Sequence, residues 1–273
     1  MIDLKSIASN TNRYNFHSHT QYCDGRATME DVVKEAIKQG FLHLGFSPHS
    51  PVPLESPCNM SKDNVQSYLN EVNRLRLVYG DKINLYSSME IDYINEQWCA
   101  KNDYFSSLPL DYRLSSIHFI PSMNDCESYI DVDGAYDNFG KKVKTYFNGD
   151  IEFVVNQFYS QTLKMIEAGG FDVICHFDKI GNNASSYQQG IENEVWYQKL
   201  VRNVFDAIMD YQYIIEINTK AFDEFGRFFP NQRYFKWIKD YNAPVLINSD
   251  VHFADKINSG RYEAEKFLNE ILK

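Results

Sequence analysis

The sequence has no CxxC pair, and its five cysteines (23, 58, 99, 126 and 175) are odd in number and scattered. That argues against a disulfide framework and a structural zinc site, and it points to reduced thiols and a cytoplasmic home. Positive charge is scarce: 27 Lys and Arg face 37 Asp and Glu, for a net charge of −10. Such a chain lacks the basic surface that displaces counterions from nucleic acid or anionic membrane, so neither is expected as a partner. An anionic substrate must then be drawn in by metal or by local Arg and Lys, against the global field. The opening stretch MIDLKSIASNTNRY carries no apolar leader core, and no run is long enough to span a bilayer. There is no internal repeat, no low-complexity linker, and neither a GxGxxG nor a P-loop glycine pattern.

What is present is alternation. Short apolar runs at Tyr14 to His19, Leu42 to Ser47, Ile83 to Met89, Arg113 to Phe119, Asp172 to His176, Tyr213 to Ile217 and Val245 to Ser249 read as strands. Between and after them lie helical patterns: one opened by Thr28 and closed by Gly40, one from Ser61 to Gly80, then Asp150 to Ala168, Glu194 to Tyr211, Asn231 to Tyr241 and Tyr262 to Leu272. Strands alternating with helices predict an α/β fold with a parallel sheet, either a closed barrel or an open doubly wound sheet. The chain reads as one domain over 1–273, with an aromatic and acidic insert at about 120–150.

Six of the seven histidines fall at the far ends of these strands: His17 and His19 on the first, His49 past the second, His118, His176, and His252 after the last. Glu90 and Asp250 stand in equivalent places. In a (β/α) barrel those ends open on one face, where active sites are built, and residues i and i+2 of a strand point to the same side. Eight potential ligands far apart in sequence therefore project to one mouth, which predicts a metal site. His43, at the start of a strand, reads as structural. Asp24 alone is an Asp-Gly turn residue and gains weight only by following His-x-His closely. Glu216 and Asn218 could orient ligands or simply be buried polar groups. The run NDCESYIDVDGAYD lacks EF-hand spacing and reads as a solvated loop.

HSHT with Asp24-Gly25, His49, Glu90 in MEIDY, His118 in SSIHF, His176 in CHFDKI and Asp250-His252 in SDVH resemble the motif order of the PHP (polymerase and histidinol phosphatase) family, over almost the whole chain. The resemblance implies a distorted seven-stranded TIM-like (β/α)7 barrel with a trinuclear metal site at the C-terminal ends of the strands. It implies that His17, His19, Glu90 and Asp250 hold one ion, that Glu90 bridges to a second held by His118 and His176, and that Asp24, His49 and His252 hold a third. Two features depart from the pattern. Pro48 replaces an Asp common before the second-motif histidine, and Asp24 supplies a carboxylate that suits Mn²⁺ or Fe²⁺ at the third position.

The implied activity is metal-dependent hydrolysis of a phosphate monoester by an activated water, with Glu90 and Asp250 central and Zn, Mn or Fe as the three divalent ions. L-Histidinol phosphate, an intermediate of histidine biosynthesis, is the substrate the resemblance implies. His49 or His252 could protonate the leaving alkoxide, and Arg26, Lys179 or Arg227 could meet the phosphate. The alternatives are a PHP phosphoesterase acting on another small phosphate or on nucleic acid, an amidohydrolase-like metal hydrolase, or a non-catalytic metal-binding protein. The aromatic insert could shape substrate choice as a lid, or it could simply pack as core.

Overall fold

In the computed structural model, which describes residues 2–270, short strands alternate with helices in the predicted order. The strands are β1 (Tyr14–Asn15), β2 (His43–Phe46), β3 (Asn84–Ser87), β4 (Glu90–Asp92), β5 (Leu114–Ser116), β6 (Phe119–Pro121), β7 (Tyr129–Asp131), β8 (Val173–Ile174), β9 (Ile214–Asn218) and β10 (Val245–Asn248). Two parallel sheets, β1-β2-β3 and β10-β9-β8-β5-β4, carry the fold, and β6 and β7 form a separate antiparallel hairpin.

The expected closed barrel of seven strands is therefore not seen as one ladder; the described parallel strands fall into two sheets, and side chains explain both breaks. The run expected as a single third strand divides at Ser88 and Met89, so that β3 pairs with β2 and β4 with β5. There the Tyr68 hydroxyl accepts the Ser88 N–H at 3.1 Å and lies 3.0 Å and 2.7 Å from the carbonyl oxygens of Phe46 and Ser88, replacing ladder bonds. Between β1 and β10 two side-chain amides do the same: Asn248 Oδ1 accepts the Phe16 N–H at 2.9 Å, and Asn15 Oδ1 accepts the Ser249 N–H at 2.8 Å. Isolated parallel bridges, Ser18 with Val251 and His49 with Glu90, lie just beyond these seams.

Alternation along the strands sets the chemistry of their shared face. Leu114, Val173, Ile214 and Leu246 cluster there with Tyr14, Phe16 and Tyr112, packed by Leu4 of the helix Leu4–Asn10, which the sequence pattern did not suggest. Ile174, Ile215 and Ile247 belong instead to the larger core. Each such fully buried side chain is worth roughly 1.5–3 kcal/mol. Two and four residues after Ile214 come Glu216 and Asn218, and after Leu246 come Asn248 and Asp250, so the same face turns polar toward the strand ends.

The helices begin where caps allow. Thr28 accepts the Asp31 N–H before Met29–Lys38, and Asp150 accepts the Phe153 N–H before Ile151–Ala168. In the insert, a helix at Tyr136–Tyr146 buries Phe139 and Val143, with Phe147 buried behind it, while Tyr136 and Tyr146 stay exposed. Its aromatic residues are thus divided between core and surface. The last helix is Arg261–Glu270; positions 271–272 of the expected helix lie outside the described residues. No helix among the described residues is long and apolar enough to cross a membrane.

Candidate metal centre

Glu90, 1% exposed at the start of β4, is the hub of the polar end. Its Oε1 lies 2.9 Å from His176 Nε2 and 3.5 Å from His118 Nε2. Its Oε2 lies 3.1 Å from His49 Nδ1, 3.2 Å from His17 Nε2 and 3.5 Å from His19 Nε2. Asp250 Oδ1 approaches His19 Nε2 at 2.9 Å and His17 Nε2 at 3.8 Å. Asp24 reaches His19 Nδ1 at 3.4 Å, His252 Nε2 at 3.3 Å and His49 Nε2 at 3.9 Å. All nine residues expected as ligands thus meet in one cluster, and His19 Nε2 sits only 3.2 Å from His17 Nε2.

Backbone strain helps to aim two of them: His176 and Asp250 have positive φ, 26° and 49°. Gly25 is required for close approach rather than for a left-handed turn, because a Cβ there would lie 2.7 Å from the His19 carbonyl carbon. The ring of His49, which follows Pro48, packs between His19 and His118 with centroids 4.4 Å and 4.9 Å away.

A second layer of carboxylates grips the rings. Glu216, completely buried, takes His17 Nδ1 at 2.7 Å and the His176 N–H at 3.2 Å. Asn218 bridges Glu216 and Asp250 at 3.1 Å and 3.0 Å. The pair flagged in the sequence is therefore a scaffold for the histidines. Asp92, which the sequence reading passed over, holds His118 Nδ1 at 2.7 Å and is itself fixed by Asn59 at 2.8 Å. Its signal was available: it follows Glu90 by two positions in MEIDY and shares its face.

The electrostatics divide the imidazoles. Burial pushes His49 well below its ordinary value; burial, with His19 and Lys220, pushes His252 down to about 4. Burial, with Lys179, also lowers His176. Burial opposes charge on His17 and His19 as well, yet the carboxylates beside them raise both. For His118, Asp92 and Glu90 overcome burial and bring it up to about 9. Glu90 is held well below the usual carboxylate range, where the imidazoles His49, His17 and His118 outweigh its burial.

The donor set fits divalent cations. Asp24 Oδ1, His49 Nδ1, Glu90 Oε2, His118 Nε2 and Asp250 Oδ1 are buried without a hydrogen-bond partner, an arrangement expensive in a closed protein core and satisfied by ions. The cluster opens into a cavity of about 220 Å³ lined by Asp24, His49, His118 and His252, with Phe119, Cys58, Asn59, Asp131, Asp133 and Lys220.

The three cations named in the sequence fare differently. Arg227 is not at the mouth: it is buried against Glu192, with two bonds of 2.9 Å, and Asp178 at 3.2 Å. Arg26 is exposed and borders an outer depression with Lys34 and Lys38. Lys179 lies near the cluster but is held by Asp133 at 2.7 Å. The acidic run is not wholly solvated, since Asp131 and Asp133 line the cavity. His43 hydrogen-bonds Tyr86 at 2.9 Å, away from the cluster.

A parallel α/β fold with a buried imidazole–carboxylate cluster at its strand ends defines a class of metal-site proteins. The PHP domain model matches residues 15–220, and the chain belongs to that family. It is 28% identical to the "Probable histidinol-phosphatase" of Schizosaccharomyces pombe, over 93% of this chain and 85% of that one. It is 23% identical to the histidinol-phosphatase of Bacillus subtilis, over 92% and 97%. Among solved structures, the Lactococcus lactis histidinol phosphate phosphatase, complexed with zinc, L-histidinol and phosphate, superposes with a TM-score of 0.69 at 20% identity, over 94% and 93% of the chains. A structure from Listeria monocytogenes gives a TM-score of 0.82 at 16% identity, over 92% and 99%.

Proposed function

We propose that this protein is a metal-dependent phosphomonoesterase that hydrolyses L-histidinol phosphate to L-histidinol and phosphate, in the cytoplasm. The observation that carries the reading is the Glu90 hub, one buried carboxylate with ring nitrogens of five histidines within 3.5 Å. The names of the Schizosaccharomyces and Bacillus relatives and the ligands of the Lactococcus structure support the choice of substrate. The finer fold reading, one domain forming a distorted seven-stranded barrel, is part of the same proposal and is supported by the bridges at its two seams.

His17, His19, Glu90 and Asp250 would hold one divalent ion, Glu90 with His118 and His176 a second, and Asp24, His49 and His252 a third. When bound, such ions supply Lewis acidity to phosphoryl oxygens and bring a water toward ionisation near neutral pH. The chain's own part is to fix ligand orientation. Glu216 and Asp92 accept from the outer nitrogens of His17 and His118, which directs the inner nitrogens to the cluster. His49 and His252, kept neutral by burial, suit ligation better than proton donation to the leaving alkoxide.

Metal analysis of the purified protein, with turnover of a phosphomonoester panel that includes histidinol phosphate, tests the reading. We expect bound divalent metal and preference for histidinol phosphate. Metal-replete protein inert toward every monoester yet active on amides or DNA overturns it.

Metal binding should also release protons, because His118 titrates at about 9 in the metal-free chain and must give up its proton to become a ligand. Affinity then strengthens as pH rises toward about 9 and weakens as pH falls. The same group acts oppositely on the metal-free fold. Its pKa is raised from 6.5, so its stabilising contribution is complete below about 6.5 and is lost as pH rises through about 9. Calorimetric metal titrations in buffers of different ionisation enthalpy measure the release; zero proton exchange at pH 7 contradicts it.

A further inference from the structure

We propose that Lys220 is the cation that fixes the phosphoryl group beside the metal cluster, an inference that rests on the reading of the site as a phosphomonoesterase. The chain carries a net charge of −10, and its cavity presents Asp24, Asp131 and Asp133, so an approaching dianion meets a repulsive mouth unless a local cation offsets it. Among the described residues lining that cavity, Lys220 is the one lysine or arginine, and the histidines beside it are residues we place among the metal ligands.

The other nearby cations are occupied by carboxylates. Asp133 takes Lys179 at 2.7 Å, Asp131 takes Lys142 at 2.9 Å, and Glu192 takes Arg227 through two bonds of 2.9 Å. Lys220 is paired more loosely, with no carboxylate oxygen within 3.5 Å among the described residues. Its ammonium stands 3.6 Å from Asp250 Oδ1 and 3.2 Å from His252 Nε2, and the side chain is 41% exposed. Both neighbours are residues we place among the ligands. Their lone pairs would be engaged by metal, which leaves the ammonium protons for an anion.

The backbone explains why this lysine is there. Residues 216, 218 and 220 follow one another at strand spacing along and just past β9. The Lys220 N–H donates to Asn218 Oδ1 at 3.1 Å, and the preceding Thr219 N–H donates to the Asn248 carbonyl at 2.9 Å. The root of the side chain is thus tied to the same asparagines that brace Glu216 and Asp250, while its stem reaches the cavity. A compact ammonium on a flexible stem suits one or two phosphoryl oxygens at the edge of a metal cluster.

The test compares Lys220→Met and Lys220→Arg in the metal-replete full chain. A charge-assisted hydrogen bond of this kind corresponds to about 10- to 100-fold in affinity. Lys220→Met should raise KM for a hydrolysed monoester and weaken calorimetric binding of inorganic phosphate by that factor, with metal content unchanged; Lys220→Arg should recover most of it. Unchanged KM and phosphate binding in the methionine variant, with turnover intact, overturns the inference and leaves the phosphomonoesterase reading standing. Loss of metal in that variant also overturns it, since Lys220 would then serve the ligands. A parent protein inert on all monoesters, whose phosphate binding still falls in Lys220→Met, sinks the phosphomonoesterase reading and retains the anion site.

Discussion

Glu90→Ala should yield a folded protein that has lost most of its metal and hydrolyses phosphate monoesters at least about a thousandfold more slowly, given that removal of even one preorganised electrostatic donor costs about 10²–10³. The expectation follows from position. Both Glu90 oxygens are used, Oε1 toward His118 and His176, and Oε2 toward His17, His19 and His49. No other carboxylate among the described residues reaches ring nitrogens in both halves of the cluster: Asp250 serves His17, His19 and His252, Asp24 serves His19, His49 and His252, and Glu216 meets His17 by its ring but His176 only by its backbone N–H. The fold should tolerate the change. Removing an anion from among five imidazoles leaves them to ionise less, and the strand itself remains paired through Ile91 and Asp92. Elemental analysis, circular dichroism and kcat/KM on the same preparation separate the effects. Retained activity with a full metal complement would show that the bridge is misassigned.

The histidines of this site were legible because they obey two simple rules, strand-end placement and i, i+2 spacing. The same rules extend to other residues of the site. Asp92 follows Glu90 by two positions, and Lys220 follows Asn218 by two, yet neither stands out without the cluster to give it a direction. Arg227 shows the opposite failure. It lies soon after a strand end in sequence, but its loop folds back so that the guanidinium meets Glu192, 35 positions earlier. Distance along the chain says nothing about such a return.

The fold divides in the same way. Hydrophobic alternation predicts the strands and their succession along the chain, since it reports which face is buried. It does not report that Tyr68, Asn15 and Asn248 insert side-chain groups where backbone pairs would otherwise close a ladder. A Tyr on a helix face and an Asn beside a strand are compatible with many roles, and only three-dimensional proximity selects this one.

Glu216→Ala should do what Glu90→Ala does not, and lower stability as well as metal affinity. Glu216 is completely buried and accepts four donors: His17 Nδ1 at 2.7 Å, Asn248 at 3.0 Å, Asn218 at 3.1 Å and the His176 N–H at 3.2 Å. Truncation leaves these groups with no water to turn to. Each buried donor left unpaired costs about 1–3 kcal/mol, but the four share one network and their losses do not add. About 3–5 kcal/mol is therefore expected, in line with breaking a buried charged pair. Because Asn248 also takes the Phe16 N–H across the seam between β1 and β10, part of the loss falls on the contact between the two sheets. Metal affinity should drop by about 10- to 100-fold, since His17 loses the group that orients it. Urea denaturation of the metal-free variant reads the first effect and metal titration reads the second. A variant with the parent's midpoint and affinity would mean that His17 is held by the packing around it, and that the carboxylate beneath the cluster is dispensable to both fold and site.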